Sequence, residues 1–255
     1  MDKTCKYNAT CGMDFCQPWQ DSVECPYYRR KEKPILFNTD MVKAILENRK
    51  TAARRLVFQQ PEGVLYRLPN SSCWPGYFAD STTARVCKPR YQPGDVLYVR
   101  ETWGNYSVDN PESNAAYYLY RADYSDDAKG YWYEPEHIHF CDFPRWRPSI
   151  HMPKDAARIF LRIKSVRAER LKAIDAEQAK AEGICSVSLG DGTVGYSVGL
   201  WDKTTYEGAV GAFAKLWDST IKPADRDRYG WDANPWVWVF DFERISEKER
   251  MGEQK

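Results

Sequence analysis

Residues 234–245, NPWVWVFDFERI, carry the clearest structural signal in the chain. Trp236, Trp238, Phe240 and Phe242 alternate with Val237, Val239, Asp241 and Glu243. Successive side chains of an extended strand point to opposite faces, so this run predicts a strand with one aromatic face. Upstream, Ile159, Leu161 and Ile163 alternate with Arg158, Arg162 and Lys164, which predicts a half-buried strand from Ala157 onward. VLYVRETW follows the turn Pro93-Gly94-Asp95 and predicts a strand over Val96–Trp103, and AAYYLYRA predicts another over 115–122.

Helices separate some of these strands. Asn38, Thr39 and Asp40 form a helix start, and Met41, Ala44 and Ile45 at helical spacing predict an amphipathic helix over 40–50. Lys50 would close its last turn, where a cation complements the helix dipole. Asp175 with Gln178 spells a capping box for a second helix that ends at Gly183. Thr204 with Glu207 spells another, for a helix carrying Val210, Phe213, Ala214 and Trp217 on one face. Between them, SVSLGDGTVGYSV reads as a hairpin turning at Asp191-Gly192. There is no regular strand–helix–strand repeat. The pattern favours an α+β mixed barrel over a doubly wound sheet.

A chain of 255 residues with 43% apolar and 29% charged content can bury a substantial core. No run approaches the roughly 20 apolar residues that span a bilayer, and the N-terminal MDKTCKYNATCGMDFC has no apolar signal region. Both features lead to the expectation of a cytoplasmic protein. The formal net charge is only +1, yet residues 29–55 hold nine Lys/Arg against three acids. Residues 109–136 reverse the sign, with seven acids against two cations. A basic segment on a neutral chain points to a local anionic partner, and equally to a solvated basic face paired with the acidic stretch.

The basic segment ends in ILENRKTAARR, residues 45–55. Arg49 is expected to face solvent, whereas Arg54 and Arg55 suit a phosphate or a base edge, because a planar guanidinium offers paired donors. Glu182 falls in the last turn of the second predicted helix, against the negative end of its dipole, a cost of about 0.3–1 kcal/mol unless a cation is brought in. Glu101 shares a strand face with Leu97, Val99 and Trp103, an expensive place for a carboxylate without a partner. Lys50 beside Glu182 or Glu101 would suit acid–base work or a structural ion pair. Among ten tryptophans, Trp103 is the one expected to stack a nucleobase. Cys5, Cys11, Cys16 and Cys25 lie in a segment too short for its own core, where a structural zinc would supply folding energy. An iron–sulfur cluster or free thiols are the other readings. No organic cofactor motif is visible.

Taken together, ILFNTDMVKAILENRKTAARR, YQPGDVLYVRETW, RAERLKAIDAEQAKAEGI and NPWVWVFDFERI resemble the ASCH domain family of the PUA-like superfamily. With RPSIHMP and AFAKLWDS between them, the chain looks like the larger ASCH proteins of phages and prophages. The resemblance implies a mixed β-barrel with helices packed at the rim over residues 33–246. Insertions would lie at about 59–90 and 104–150, with a Cys-rich module over 1–32 and a polar tail over 247–255. It implies RNA or modified-nucleoside binding in a cleft lined by Lys50, Thr51, Arg55, Glu101 and Glu182. The alternative is an amidohydrolase acting on N4-acetylcytidine or a related acylated nucleoside. Its catalytic lysine would be Lys50 and its glutamate Glu182. The expected threonine position is occupied by Ala53, leaving Thr51 as the nearby hydroxyl. A third reading is a phage protein that binds a host factor in the host cytoplasm without catalysis.

Overall fold

The computed structural model of the protein describes residues 32–69, 76–107, 116–124, 146–189, 192–199 and 204–251. The principal sheet has five strands, β1 (Lys33–Leu36), β2 (Ala52–Leu56), β6 (Val96–Arg100), β9 (Phe160–Arg170) and β12 (Trp236–Ile245). Their spatial order is β1-β6-β9-β12-β2, with β1 parallel to β6 and every other pair antiparallel. Smaller sheets pair β3 (Leu65–Arg67), β4 (Phe78–Asp80) and β5 (Val86–Cys87); β7 (Trp103–Ser107) with β8 (Ala116–Tyr120); and β10 (Cys185–Ser188) with β11 (Val194–Ser197).

β12 is the spine of the molecule. Trp236, Trp238, Phe240 and Phe242 enter one core with Ile35, Phe37, Leu97, Val99, Leu161 and Ile163. Val237 and Val239 enter a second core on the opposite face, against Leu171, Phe213, Leu216 and Trp217. The expected aromatic face is therefore present, and the valine face is buried as well. Each such side chain taken from water contributes about 1.5–3 kcal/mol, which is why this strand organises the rest.

The helices are α1 (Thr39–Leu46), α2 (Ala176–Ala181), α3 (Ala209–Thr220), α4 (Arg226–Tyr229) and α5 (Glu247–Met251). Asn38 caps α1 by accepting the Met41 amide proton, as its position predicts. The expected span of 40–50 is corrected, however, because α1 stops at Leu46 and Asn48 turns to a left-handed φ of 59°. The amides of both Arg49 and Lys50 then fold back on the Ala44 carbonyl, so Lys50 lies beyond the helix. The capping box of α2 forms with Asp175 and Gln178. The one expected from Thr204 and Glu207 does not. α3 begins at Gly208–Ala209 without a side-chain cap, and Ala209, Ala212, Phe213, Leu216 and Trp217 are its buried stripe.

The strand expected over 96–103 is broken into β6 and β7, with Glu101 at the corner between two sheets. The class is mixed α and β, as expected, but the sheet is not a closed barrel among the described residues. β1 and β2 remain its two edges, and among the described residues the Arg55 guanidinium reaches across between them, donating to the Leu36 carbonyl at 3.0 Å. The Cys-rich segment with Cys5, Cys11, Cys16 and Cys25, most of the second insertion and the hairpin residue Asp191 lie outside the described residues. No described helix is long and apolar enough to cross a membrane.

Candidate functional site

The basic stretch at the exit of α1 meets the C-terminal end of α2. A helix leaves its last carbonyls without intrahelical partners, and they carry the negative end of its dipole. Three consecutive residues satisfy three consecutive carbonyls here. The Thr51 amide donates to Ala181 at 2.8 Å, Lys50 Nζ to Glu182 at 2.7 Å, and Arg49 Nη1 to Gly183 at 2.8 Å. Arg49, expected in solvent, is half-buried in this role. Gly183 allows the close approach, since its φ is +106° and a Cβ there would stand 3.1 Å from that of Ala44.

Glu182 is the node of the site. Lys50 Nζ donates to its Oε2 at 2.7 Å, and Arg54 Nη1 to its Oε1 at 3.2 Å. All three residues are buried. The cation that the glutamate at the helix end called for is thus supplied twice, from a segment well over a hundred residues earlier. Arg54 Nη2 also donates to Gln178 Oε1 at 2.8 Å and to Glu169 Oε2 at 3.4 Å, and its guanidinium lies 5.7 Å from the Phe213 ring centre. Arg54 Nε is buried without a hydrogen-bond partner among the described residues. The Phe37 ring carries Lys50 Nζ at 5.6 Å and the Arg55 guanidinium at 5.2 Å. Arg55 donates to the Arg54 and Leu36 carbonyls at 3.0 Å each and makes no carboxylate pair among the described residues.

Burial pulls the Lys50 ammonium below its ordinary 10.5, Glu182 opposes that pull, and Arg55 and Arg54 reinforce it. The folded protein therefore releases this proton at a lower pH than the unfolded chain does. Between the two values the unfolded chain holds more protons, so stability rises with pH across that window. In urea unfolding, wild type should gain on Lys50→Met as pH climbs toward 10.5. A difference that stays constant with pH would show that Lys50 titrates as it does in water.

A cavity of about 340 Å³ opens beside this network. Arg54, Arg55 and Glu182 form its polar wall, Leu36, Asn38 and Met41 come from the β1–α1 corner, and Phe213, Trp217 and Thr220 come from α3. Lys50 does not line it. Its side chain is fully enclosed behind Glu182, where it holds the carboxylate in place. Thr51 is exposed and outside the lining, and no side-chain hydrogen bond links it to Lys50 or Glu182. Ala53 is fully buried in the aromatic core, paired with Phe240 across the strands. A threonine there would put a hydroxyl among aromatic rings.

Glu101 and Trp103 belong elsewhere. Arg158 grips the Glu101 carboxylate with Nε at 2.9 Å and Nη2 at 3.0 Å, and reaches Asp123 with Nη1 at 2.7 Å. Burial holds the Glu101 pKa above its ordinary value, and the Arg158 pair offsets only part of that rise. The need for a partner was legible, but the partner is Arg158 and not Lys50. Trp103 is buried against Met152 and Ala156, with Tyr118 at 5.8 Å and the Arg147 guanidinium at 5.1 Å from its ring centre. It is not open to a base. The aromatic rings at the cavity are Phe213 and Trp217, whose helical spacing marked them as one face without showing what that face would meet. Among the described residues, no group of three or more His, Cys, Asp or Glu is placed to hold a metal ion.

Compared with protein-family models, with curated proteins and with solved structures, the chain matches none.

Proposed function

We propose that this is a PUA-like ASCH protein that binds a nucleoside, free or within RNA, in the cavity between β2, α2 and α3. One observation carries the reading: a cavity wall made of a buried carboxylate and two arginines, one of which keeps a buried N–H with no partner among the described residues. A buried donor without an acceptor demands an explanation, and a ligand oxygen or ring nitrogen provides one. A nucleobase edge offers both exocyclic amine donors and carbonyl acceptors, which suits Glu182 on one side and Arg54 on the other. Phe213 and Trp217 supply apolar faces beside them.

Binding ranks above hydrolysis on the same geometry. The lysine is sealed behind the carboxylate, the exposed threonine does not face the cavity, and the position expected to hold a catalytic hydroxyl is Ala53 in the core. Calorimetric titration with cytidine and N4-acetylcytidine should give saturable binding that Arg54→Ala weakens at least tenfold. Chromatography after long incubation with N4-acetylcytidine should show no released cytidine. Absence of binding to any nucleoside would sink the proposal, and turnover would replace it with the amidohydrolase reading.

A further inference from the structure

A second cavity, of about 480 Å³, occupies the gap between the sheet edges β1 and β2. Its lining carries four cations, Arg55, Arg85, Lys88 and Arg90, and no Asp or Glu. That distinguishes it from the basic stretch around Lys50, where Lys33 pairs with Asp95, Arg49 with Glu47, and Lys50 and Arg54 with Glu182. Among the described residues, none of the four forms an ion pair. Arg85 is held by the Gln59 and Gln60 carbonyls at 2.8 and 3.2 Å, and the Arg90 guanidinium rests 5.7 Å from the Tyr91 ring centre. Three of the cations come from the stretch around β5, within the 59–90 insertion, so they are not part of the nucleoside cleft. A concave surface lined by charge of one sign concentrates counter-ions in front of it.

The aromatic content narrows the class of anion. Trp238 and Phe240 line the cavity, and at its rim Phe58 is 91% exposed, an unusual position for a phenylalanine. Guanidinium groups match phosphate geometry, and an exposed ring supplies a stacking platform for a base. Leu36, Arg55 and Leu56 belong to the linings of both cavities. A ligand that passes Arg55 is longer than one nucleoside.

We propose that this groove is the phosphate track of a single-stranded nucleic acid, gripped by Arg55, Arg85, Lys88 and Arg90, with a base stacked on Phe58 and a neighbouring nucleoside in the cleft across Arg55. The placement of that neighbouring nucleoside rests on the binding reading above; the groove itself stands on its own residues. The chain therefore prefers an oligonucleotide to a free nucleoside or a free nucleotide.

The test uses the full chain with a labelled, mixed-sequence single-stranded oligoribonucleotide, read by fluorescence anisotropy across a salt series, beside calorimetry with the free nucleoside. Lys88→Ala/Arg90→Ala removes two exposed cations that make no hydrogen bond among the described residues. It should weaken strand binding about tenfold at low salt and reduce the slope of log K against log salt by about 0.7 per cation removed, leaving nucleoside affinity unchanged. Phe58→Ala should weaken the strand about tenfold with the slope intact. If wild type fails to bind the strand, or the double variant keeps its affinity and slope, the groove proposal falls while any nucleoside binding stands. If the strand binds and the variants weaken it but no nucleoside binds, the groove stands and the cleft reading falls. Poly-glutamate or a free nucleoside triphosphate binding as tightly as the strand would overturn the assignment to nucleic acid.

Discussion

Glu182→Ala should lower the unfolding free energy by about 3–5 kcal/mol and abolish nucleoside binding. The cost does not come from losing a strong attraction, since a buried ion pair roughly repays its own desolvation. It comes from leaving cations behind without their acceptor. Lys50 would keep only the main-chain carbonyl at residue 182, and Arg54 only Gln178 and Glu169. Lys50 has an escape that Arg54 lacks, because losing its proton removes the buried charge. Without Glu182 burial pulls the Lys50 ammonium still lower, so the destabilisation by Glu182→Ala should shrink as pH rises through the range just below the one in which wild type gains on Lys50→Met. The double variant Lys50→Met/Glu182→Leu should lose less than the sum of its singles, as expected for residues in one network. Urea unfolding followed by tryptophan fluorescence measures all of these. A loss below about 1 kcal/mol for Glu182→Ala would show that water reaches the carboxylate and that the site is not the dry network described.

Phe240→Ala should cost about 3–5 kcal/mol, the range for removing a large aromatic side chain from a packed core. Phe240 is 1% exposed and stands in the middle of β12, with Ala53 of β2 and Val166 of β9 as its strand neighbours. The Tyr91 ring meets it edge-on at 5.1 Å. Collapse of the site is restricted on both sides, because the neighbouring strands are hydrogen-bonded to β12 and cannot move inward independently. Ala53 also leaves no side chain long enough to fill the space. Phe240→Leu should recover part of the loss, and a cost below about 1.5 kcal/mol for Phe240→Ala would mean that the aromatic face of β12 is not the centre of the core. Because Phe240 also lines the cationic groove, Phe240→Ala should weaken oligonucleotide binding beyond its effect on stability.

How far the sequence could be read depended on the range of the interaction. The aromatic alternation of β12, the alternation in β9, the Asn38 cap and the Asp175–Gln178 box are short-range patterns, and each is present as expected. Where two local signals compete, reading is harder. Thr204 and Glu207 carry the residues of a capping box, but α3 starts at Ala209, where its apolar stripe can reach Val237 and Val239. The helix expected to run to Lys50 ends at Leu46 because Asn48 takes a left-handed turn, bringing Arg49, Lys50 and Thr51 onto the end of α2. A barrel was the natural inference from mixed strands, and its closure failed at one place, the edge pair β1 and β2, where Arg55 stands instead of a backbone ladder.

By itself the sequence determined the strand and helix faces, the need of Glu182 for a cation, and the need of Glu101 for a partner. Only the tertiary structure decided which partner each received: Lys50 and Arg54 for Glu182, and Arg158 for Glu101. It also decided that Trp103 is core while Phe58 is surface, and that Lys50 and Arg54 are neutralised by Glu182 while, among the described residues, Arg55 and the cations around β5 form no ion pair. The physical reason is common to all of these. A side chain's periodicity belongs to its own segment, whereas its burial and its ionic partners are properties of whatever other segments the fold places beside it.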